Sequence, residues 1–430
     1  MNVEELKGII TSQRESLDGL FKEEKIIERE LDKNHVRSFL AKPNVLAILG
    51  VRRCGKSIYS LLLLKGEKFG YINFFDERLF GLTTDELDKI VKAFYELYGN
   101  DVEYFVFDEI QKVLGWERFV SRLRTSNKII ITGSNSDLLR GDLASFLTGR
   151  HVDVELLPFS FKEYLLATGV ALDANWEYST KSVATVKKAL SEFMEKGGFP
   201  EVAKFGTIML SQIYKDMIDN DIISHHKLRN PQSLRELAKF LISNTGREVT
   251  FNSLRTTLGI KNVHTIAKYS AYIADSYLIY LQERFSYKLK EQFIAPKKVY
   301  CVDVGLANNV AFKLSKETGR VMENIVFLEL LRRKFYVHSD WELYYWKDHR
   351  GREVDFVVKH ADKVEELIQV TYASGKNEIS ERETVALEIA CKELKCDNLL
   401  VITWDYEGAQ SIGGKTVTFV PLWKWLLKTA

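Results

Sequence analysis

The run Gly50-Val51-Arg52-Arg53-Cys54-Gly55-Lys56-Ser57 has the spacing G-x-x-x-x-G-K-[ST] and directly follows the apolar stretch Val45-Leu46-Ala47-Ile48-Leu49. A loop of this kind turns backbone N–H groups inward on nucleotide phosphates. Lys56 would reach the β and γ oxygens, and the Ser57 hydroxyl would ligate Mg²⁺. A helix starting near Ser57, with Ile58 in its first turn, aims its positive end at the same anion. The second chemical element is Tyr104-Phe105-Val106-Phe107-Asp108-Glu109, an apolar strand ending in two carboxylates. Asp108 is placed to hold the metal, and Glu109 to polarise the water that attacks the γ-phosphate. A third apolar run, Lys128-Ile129-Ile130-Ile131-Thr132, ends in Gly133-Ser134-Asn135. Asn135, or its neighbour Ser134, is the candidate sensor that positions the lytic water, and turn chemistry after a strand is the alternative. The expected chemistry is binding and hydrolysis of ATP with Mg²⁺.

These groups converge only if their strands lie side by side in one sheet, since ligands of open parallel sheets bind at the C-terminal strand edge. Strand and helix alternate from Val45 to about Phe159, with further strands at Phe69–Phe75 and Val152–Leu157. That alternation predicts a parallel sheet with helices on both faces. Ahead of it, the apolar spacing of residues 3–40 predicts amphipathic helices. From Phe161 to about Asn230 the apolar residues recur at helical spacing, broken by Gly197-Gly198-Phe199-Pro200, as a small helical lid would.

The chain has 430 residues, 46% hydrophobic and 28% charged, with a formal net charge of +2. Several domains are expected, and no global polycationic field draws the chain to nucleic acid or membrane. No apolar run is long enough to span a bilayer, and Met1–Lys7 is too acidic and polar for a signal peptide, so a cytoplasmic location is expected. The four cysteines match no zinc spacing and predict no disulfide; Cys54 lies in the phosphate loop, where its side chain is expected to be unconstrained.

Residues 233–300 change character. Helical patterns at Leu234–Leu241, Ser253–Leu258 and Val263–Asp275, then strand patterns at Tyr277–Leu281 and Lys297–Val302, follow the order of a winged helix-turn-helix. The segment contains eleven bases, Lys261, Lys268, Lys288, Lys290 and Lys298 among them, against five acids, which predicts DNA contact. A nucleotide-sensing or protein-contact module with a solvated basic face is the alternative. The last portion reads as a helix near Glu323, a hairpin Trp341–Val358, a strand Leu367–Tyr372, a helix Glu378–Leu394 and a strand Asn398–Trp404.

With these motifs in hand, the chain resembles a family of predicted prokaryotic, largely archaeal AAA+-like ATPases with a C-terminal domain of unknown function. The resemblance rests on the phosphate loop, Phe107-Asp108-Glu109-Ile110-Gln111, Leu157-Pro158-Phe159-Ser160-Phe161, Gly197–Pro200, Asp303-Val304-Gly305-Leu306 and Gly351-Arg352-Glu353-Val354-Asp355-Phe356. It implies an α/β protein: N-terminal helices (1–40), a P-loop NTPase core with a parallel sheet (41–160), a helical lid (161–230), a winged helix (231–302) and a domain similar to the PD-(D/E)XK nuclease fold (303–430). It also implies that Gly198 and Pro200 contact nucleotide, a plain loop being the alternative. Arg150 is the candidate arginine that completes the active site, unless it braces the sheet. ATP, DNA through the winged helix, or a protein is the expected partner, and oligomer formation stays open.

The nuclease resemblance implies acids at Glu323 and Asp355, but the third strand offers Gln369 and Thr371 where that fold has an acid and a lysine. Gln is a weaker Mg²⁺ ligand than a carboxylate, and Thr carries no charge. The expectation is a degenerate nuclease fold that binds without cutting.

Overall fold

The computed structural model describes residues 1–41, 43–136, 147, 149–311 and 317–428. They form two compact units, Met1–Pro158 with Asp275–Tyr277, and Phe159–Ala274 with the remainder from Leu278.

The first unit is built on β1 (Val45–Leu49), β2 (Phe69–Asn73), β3 (Tyr104–Asp108), β4 (Lys128–Gly133) and β5 (His151–Glu155), in the order β2-β3-β4-β1-β5. All neighbours are parallel. The interior strand β1, between β4 and β5, is buried at every position, and this is why it reads as an unbroken apolar run. Helix Leu87–Tyr98 buries Leu87, Ile90, Ala93 and Phe94, and the Phe94 ring stacks on Phe105 of β3 at 5.3 Å. The N-terminal helix Val3–Glu23 starts at a capping box between Asn2 and Glu5, buries Leu6, Ile9 and Ile10, and belongs to this unit.

The second unit opens with helices Phe161–Ala167, Thr180–Lys196, Pro200–Phe205 and Ile208–Asp216. Its strands are β6 (Glu248–Val249), β7 (Ile279–Arg284), β8 (Lys297–Cys301), β9 (Trp341–Lys347), β10 (Glu353–His360), β11 (Lys363–Val370), β12 (Leu399–Thr403), β13 (Gly408–Ile412) and β14 (Lys415–Pro421). Helices Phe251–Thr257 and Val263–Asp275 lie between β6 and β7 in the chain. The nine strands form one sheet, β13-β14-β12-β11-β10-β9-β7-β8-β6. β7 joins β9 in parallel at Glu283↔Tyr344 and Arg284↔Tyr345. The expected division at 302/303 therefore falls inside a continuous sheet. Helix Glu381–Leu394 covers it with Ala386, Leu387 and Ala390, packed with Val354, Val357 and Leu367.

Two of the sequence motifs meet in this unit. Asp303 caps helix Val304–Val310 by accepting from Leu306 N–H at 2.8 Å, and its other oxygen accepts from Gly198 N–H at 2.6 Å. A side chain at Gly305 would put its Cβ 2.0 Å from the Lys196 carbonyl oxygen, and one at Gly197 would meet the Asp303 carboxylate at 2.1 Å. The glycines are there because two backbones and a carboxylate share the space.

Candidate functional site

At the C-terminal end of β1 the chain turns through Gly50 (φ 143°), Arg53 (φ 64°) and Gly55 (φ 99°) into helix Lys56–Leu63. A Cβ on Gly50 would lie 2.2 Å from the Leu156 carbonyl oxygen, so only glycine fits where the loop passes the exit of β5. Positive φ next to right-handed residues is the backbone pattern from which anion-binding nests are built. Lys56 is 6% exposed and its Nζ donates to Gly50 O and Val51 O, both at 3.0 Å, so the ammonium arches over the loop it must serve. Val51 is buried, and Ser57 and Ile58 in the first helical turn are half-buried. The Arg52 guanidinium lies over the Phe75 ring at 4.9 Å. Cys54 departs from expectation. Its thiol is buried and contacts Leu156 O at 3.2 Å, and burial pushes its pKa up, so it is a fixed part of the loop's packing.

The two acids lie one strand away from that loop's neighbour β4. Asp108 is 1% exposed; Tyr71 Oη of β2 donates to Oδ2 at 2.7 Å, and Thr132 Oγ1 of β4 donates to Oδ1. Burial, with the Asp108 charge added, raises the Tyr71 phenol far above its ordinary range, so it stays a donor. Glu109 follows at φ 57°, ψ 39°, a left-handed conformation that costs a non-glycine residue about 1 kcal/mol. Its N–H donates to Thr132 Oγ1 at 3.1 Å. Its carboxylate accepts from Gln111 Nε2 at 2.6 Å and from Ser134 Oγ at 3.5 Å. The Gln111 side-chain oxygen is buried without a hydrogen-bond partner among the described residues. Ser134 and Asn135 are both buried just past β4, beside these acids at the same sheet edge.

Arg29 was not marked by any motif. It stands in a charged run, yet its guanidinium donates to Cys54 O at 3.0 Å and to Leu157 O, tying the phosphate loop to the segment after β5. Tyr59 Oη donates to Leu31 O at 3.2 Å from the helix that the loop feeds.

Arg150 is corrected by its position. Val45 N–H donates to Arg150 O at 2.9 Å, which puts Arg150 at the N-terminal end of β1. The five-residue strand spans roughly 16 Å, so Arg150 stands at the edge opposite the phosphate loop and is not part of this chain's own site. Gly198 and Pro200 belong to the second unit, where Gly198 N–H is engaged by Asp303 and Pro200 is the first residue of its helix.

The basic segment is also corrected. Lys298 is buried, not exposed to a ligand; Arg235 pairs with Asp219, Arg247 with Glu317, Lys288 with Glu291 and Lys297 with Glu283. Arg255, Lys261, Lys268 and Lys290 remain exposed. Glu323 and Asp355 come together around Lys298 Nζ, and the register of β10 against β9 shifts between Val354 and Val357 beside Asp355. Asp355 accepts from Val370 N–H at 3.0 Å, and Gln369 Oε1 accepts from Asp355 N–H at 3.3 Å.

Residues 42–165 match the AAA domain family, residues 187–318 a domain of unknown function (DUF8612), and residues 318–425 another (DUF4143). No helix among the described residues is long and apolar enough to cross a membrane. The Walker-type ATPase of Pyrococcus abyssi superposes with a TM-score of 0.43 at 15% identity, over 66% of this chain and 98% of its own. A signal transduction ATPase with numerous domains and a tetratricopeptide repeat sensor, from Pyrococcus horikoshii, gives 0.27 at 13% identity, over 71% and 46%. An uncharacterized protein of Haemophilus influenzae is 29% identical over 418 residues, 93% of this chain and 98% of its own. An uncharacterized protein of Methanocaldococcus jannaschii is 36% identical over 426 residues, 94% of this chain and 92% of its own. The chain belongs to the family of that Methanocaldococcus protein, and its first unit contains the AAA-type P-loop domain.

Proposed function

We propose that this protein binds and hydrolyses ATP as a switch whose nucleotide state governs engagement of DNA or a protein partner by its second unit. The observation that carries the reading is the convergence of Lys56, Asp108 and Glu109 at one edge of β1, β3 and β4, beside a loop that turns through positive-φ glycines at Gly50 and Gly55. Ser57 and Asp108 offer the hard oxygen donors that fit Mg²⁺, which when bound neutralises charge on the β and γ phosphates. Lys56 and the loop N–H groups hold the phosphates. Glu109 takes the proton of the attacking water, and Asn135 or Ser134 orients that water. Gly198 and Pro200 stay candidate nucleotide contacts by resemblance alone.

Exposed Arg255, Lys261, Lys268 and Lys290 support DNA as the partner. A protein partner is favoured by a different observation: Tyr287, Leu289, Phe293 and Ile294 beyond β7 are each 68–72% exposed.

The test of the nucleotide chemistry is a pair of substitutions. Lys56→Ala should lose ATP binding, because it removes ground-state phosphate contact. Glu109→Gln should bind ATP and hydrolyse it about tenfold slower or worse, because it removes water activation alone. Unchanged turnover in Glu109→Gln would take that residue out of the reaction.

A further inference from the structure

The nuclease resemblance implies a Mg²⁺ ion between Glu323 and Asp355, and the residues around those carboxylates do not fit one. Lys298 enters from β8 with 2% of its side chain exposed. Its Nζ lies 2.8 Å from Glu323 Oε1, 2.9 Å from Asp355 Oδ1 and 2.6 Å from Glu353 Oε1. Tyr300 Oη, two residues along β8, donates to the same Glu323 oxygen at 2.7 Å. The second Asp355 oxygen is engaged by Val370 N–H, and Gln369 Oε1 by Asp355 N–H.

A divalent cation such as Mg²⁺ needs about six oxygens close to 2.1 Å and gives up its water reluctantly. Here the oxygens that would face it already turn to an ammonium, a phenol and a backbone N–H. Burial pulls the Lys298 proton off, but Asp355, Glu323 and Glu353 outweigh it and keep the ammonium charged. Burial pushes Glu323 up to about 7 against the pull of Lys298, while Lys298 and Lys347 outweigh burial at Glu353 and hold its carboxyl below the ordinary range. The lysine missing from the third strand is therefore supplied from β8, and it sits where the metal would sit.

We propose that Lys298 is a tethered cation standing in place of a divalent metal, so that this cluster is a closed ionic clasp joining β8, helix Thr318–Tyr336 and β10. The second unit then works by binding, without metal and without phosphodiester cleavage.

The test is Mn²⁺ titration of the full-length, nucleotide-free chain, with free Mn²⁺ read by electron spin resonance. Wild type and Asp355→Asn should bind Mn²⁺ alike up to millimolar concentration. Lys298→Ala leaves buried carboxylates without their counter-charge and should gain a site on the order of tenfold tighter than any in wild type, abolished again in Lys298→Ala/Asp355→Asn. Asp355-dependent binding by wild type would overturn the proposal, and so would a folded Lys298→Ala chain that gains no site. Lys298→Met, which keeps the packing volume, replaces Lys298→Ala if that chain fails to fold. The wild-type comparison with Asp355→Asn needs no lysine variant at all.

Discussion

Gln111 holds the candidate catalytic base, and releasing it should speed hydrolysis. Its amide donates to Glu109 at 2.6 Å while its own carbonyl oxygen is buried without a partner among the described residues. A hydrogen bond to a carboxylate contributes about 1.5–3 kcal/mol, and an orphaned buried acceptor costs about 1–3 kcal/mol, so the net hold on Glu109 is on the order of 1 kcal/mol. At 1.4 kcal/mol the carboxylate would be released from Gln111 for roughly a tenth of the time. Gln111→Ala should then raise kcat for ATP up to about tenfold. KM should stay nearly unchanged, because the proposed phosphate contacts come from Gly50–Ser57. The assay is steady-state phosphate release by the full chain at saturating ATP and Mg²⁺, with Glu109→Gln/Gln111→Ala as the control in which the gain must vanish. A kcat that is unchanged would refute the latch. A kcat that falls tenfold would show that Gln111 aims Glu109 at the water instead of restraining it.

How far the sequence carried this picture depends on whether a function is written locally. The phosphate loop and the Asp108-Glu109 pair were legible because their chemistry needs fixed residue types at fixed spacing after a buried strand, and β1, β3 and β4 are buried throughout or nearly so. Arg29 was not, because its partners Cys54 and Leu157 are distant in the chain and a guanidinium in a charged run looks like solvated surface. Lys298 was misread for the same reason, since a sum of charges cannot tell a buried base from an exposed one. A signal did exist: Lys298 and Tyr300 alternate on one face of a strand whose other members are largely apolar. The hairpin of β13 and β14 was also missed, although Gly413-Gly414 marks its turn and Val417 and Phe419 alternate with exposed Thr416 and Thr418. The pairing of β7 with β9 has no local signature, because two residue pairs join segments that differ widely in sequence position. Gly197–Pro200 and Asp303–Leu306 were each visible as motifs, but only the fold shows them to be halves of one contact.

Two further expectations follow from the second unit. If DNA is the partner, Lys261→Ala, Lys268→Ala and Lys290→Ala together should lower the slope of log K against log salt by up to about 2.7, since each duplex phosphate that the protein no longer neutralises removes about 0.9. An unchanged slope in a fluorescence-anisotropy titration would exclude those lysines from the DNA interface. The last expectation concerns Asp303, whose carboxyl is pushed by burial up to about 6, opposed by the N–H groups of Gly198, Leu306 and Gly305. A folded pKa above the unfolded value near 3.9 means that the folded state binds the proton more tightly. Its contribution is therefore complete below about pH 4 and lost as pH rises through about 6, with a size of about 3 kcal/mol. Asp303→Asn cannot titrate, and its one amide oxygen can serve only one of the donors at 2.6 and 2.8 Å. Urea unfolding of wild type and Asp303→Asn, each on both sides of that pH window, cancels the other ionisable groups when the two differences are compared. The wild-type advantage should shrink from acid to neutral pH; an advantage that stays constant would mean that the folded carboxyl titrates where the unfolded one does, its N–H donors offsetting its burial, and one that grows would mean that those donors outweigh burial.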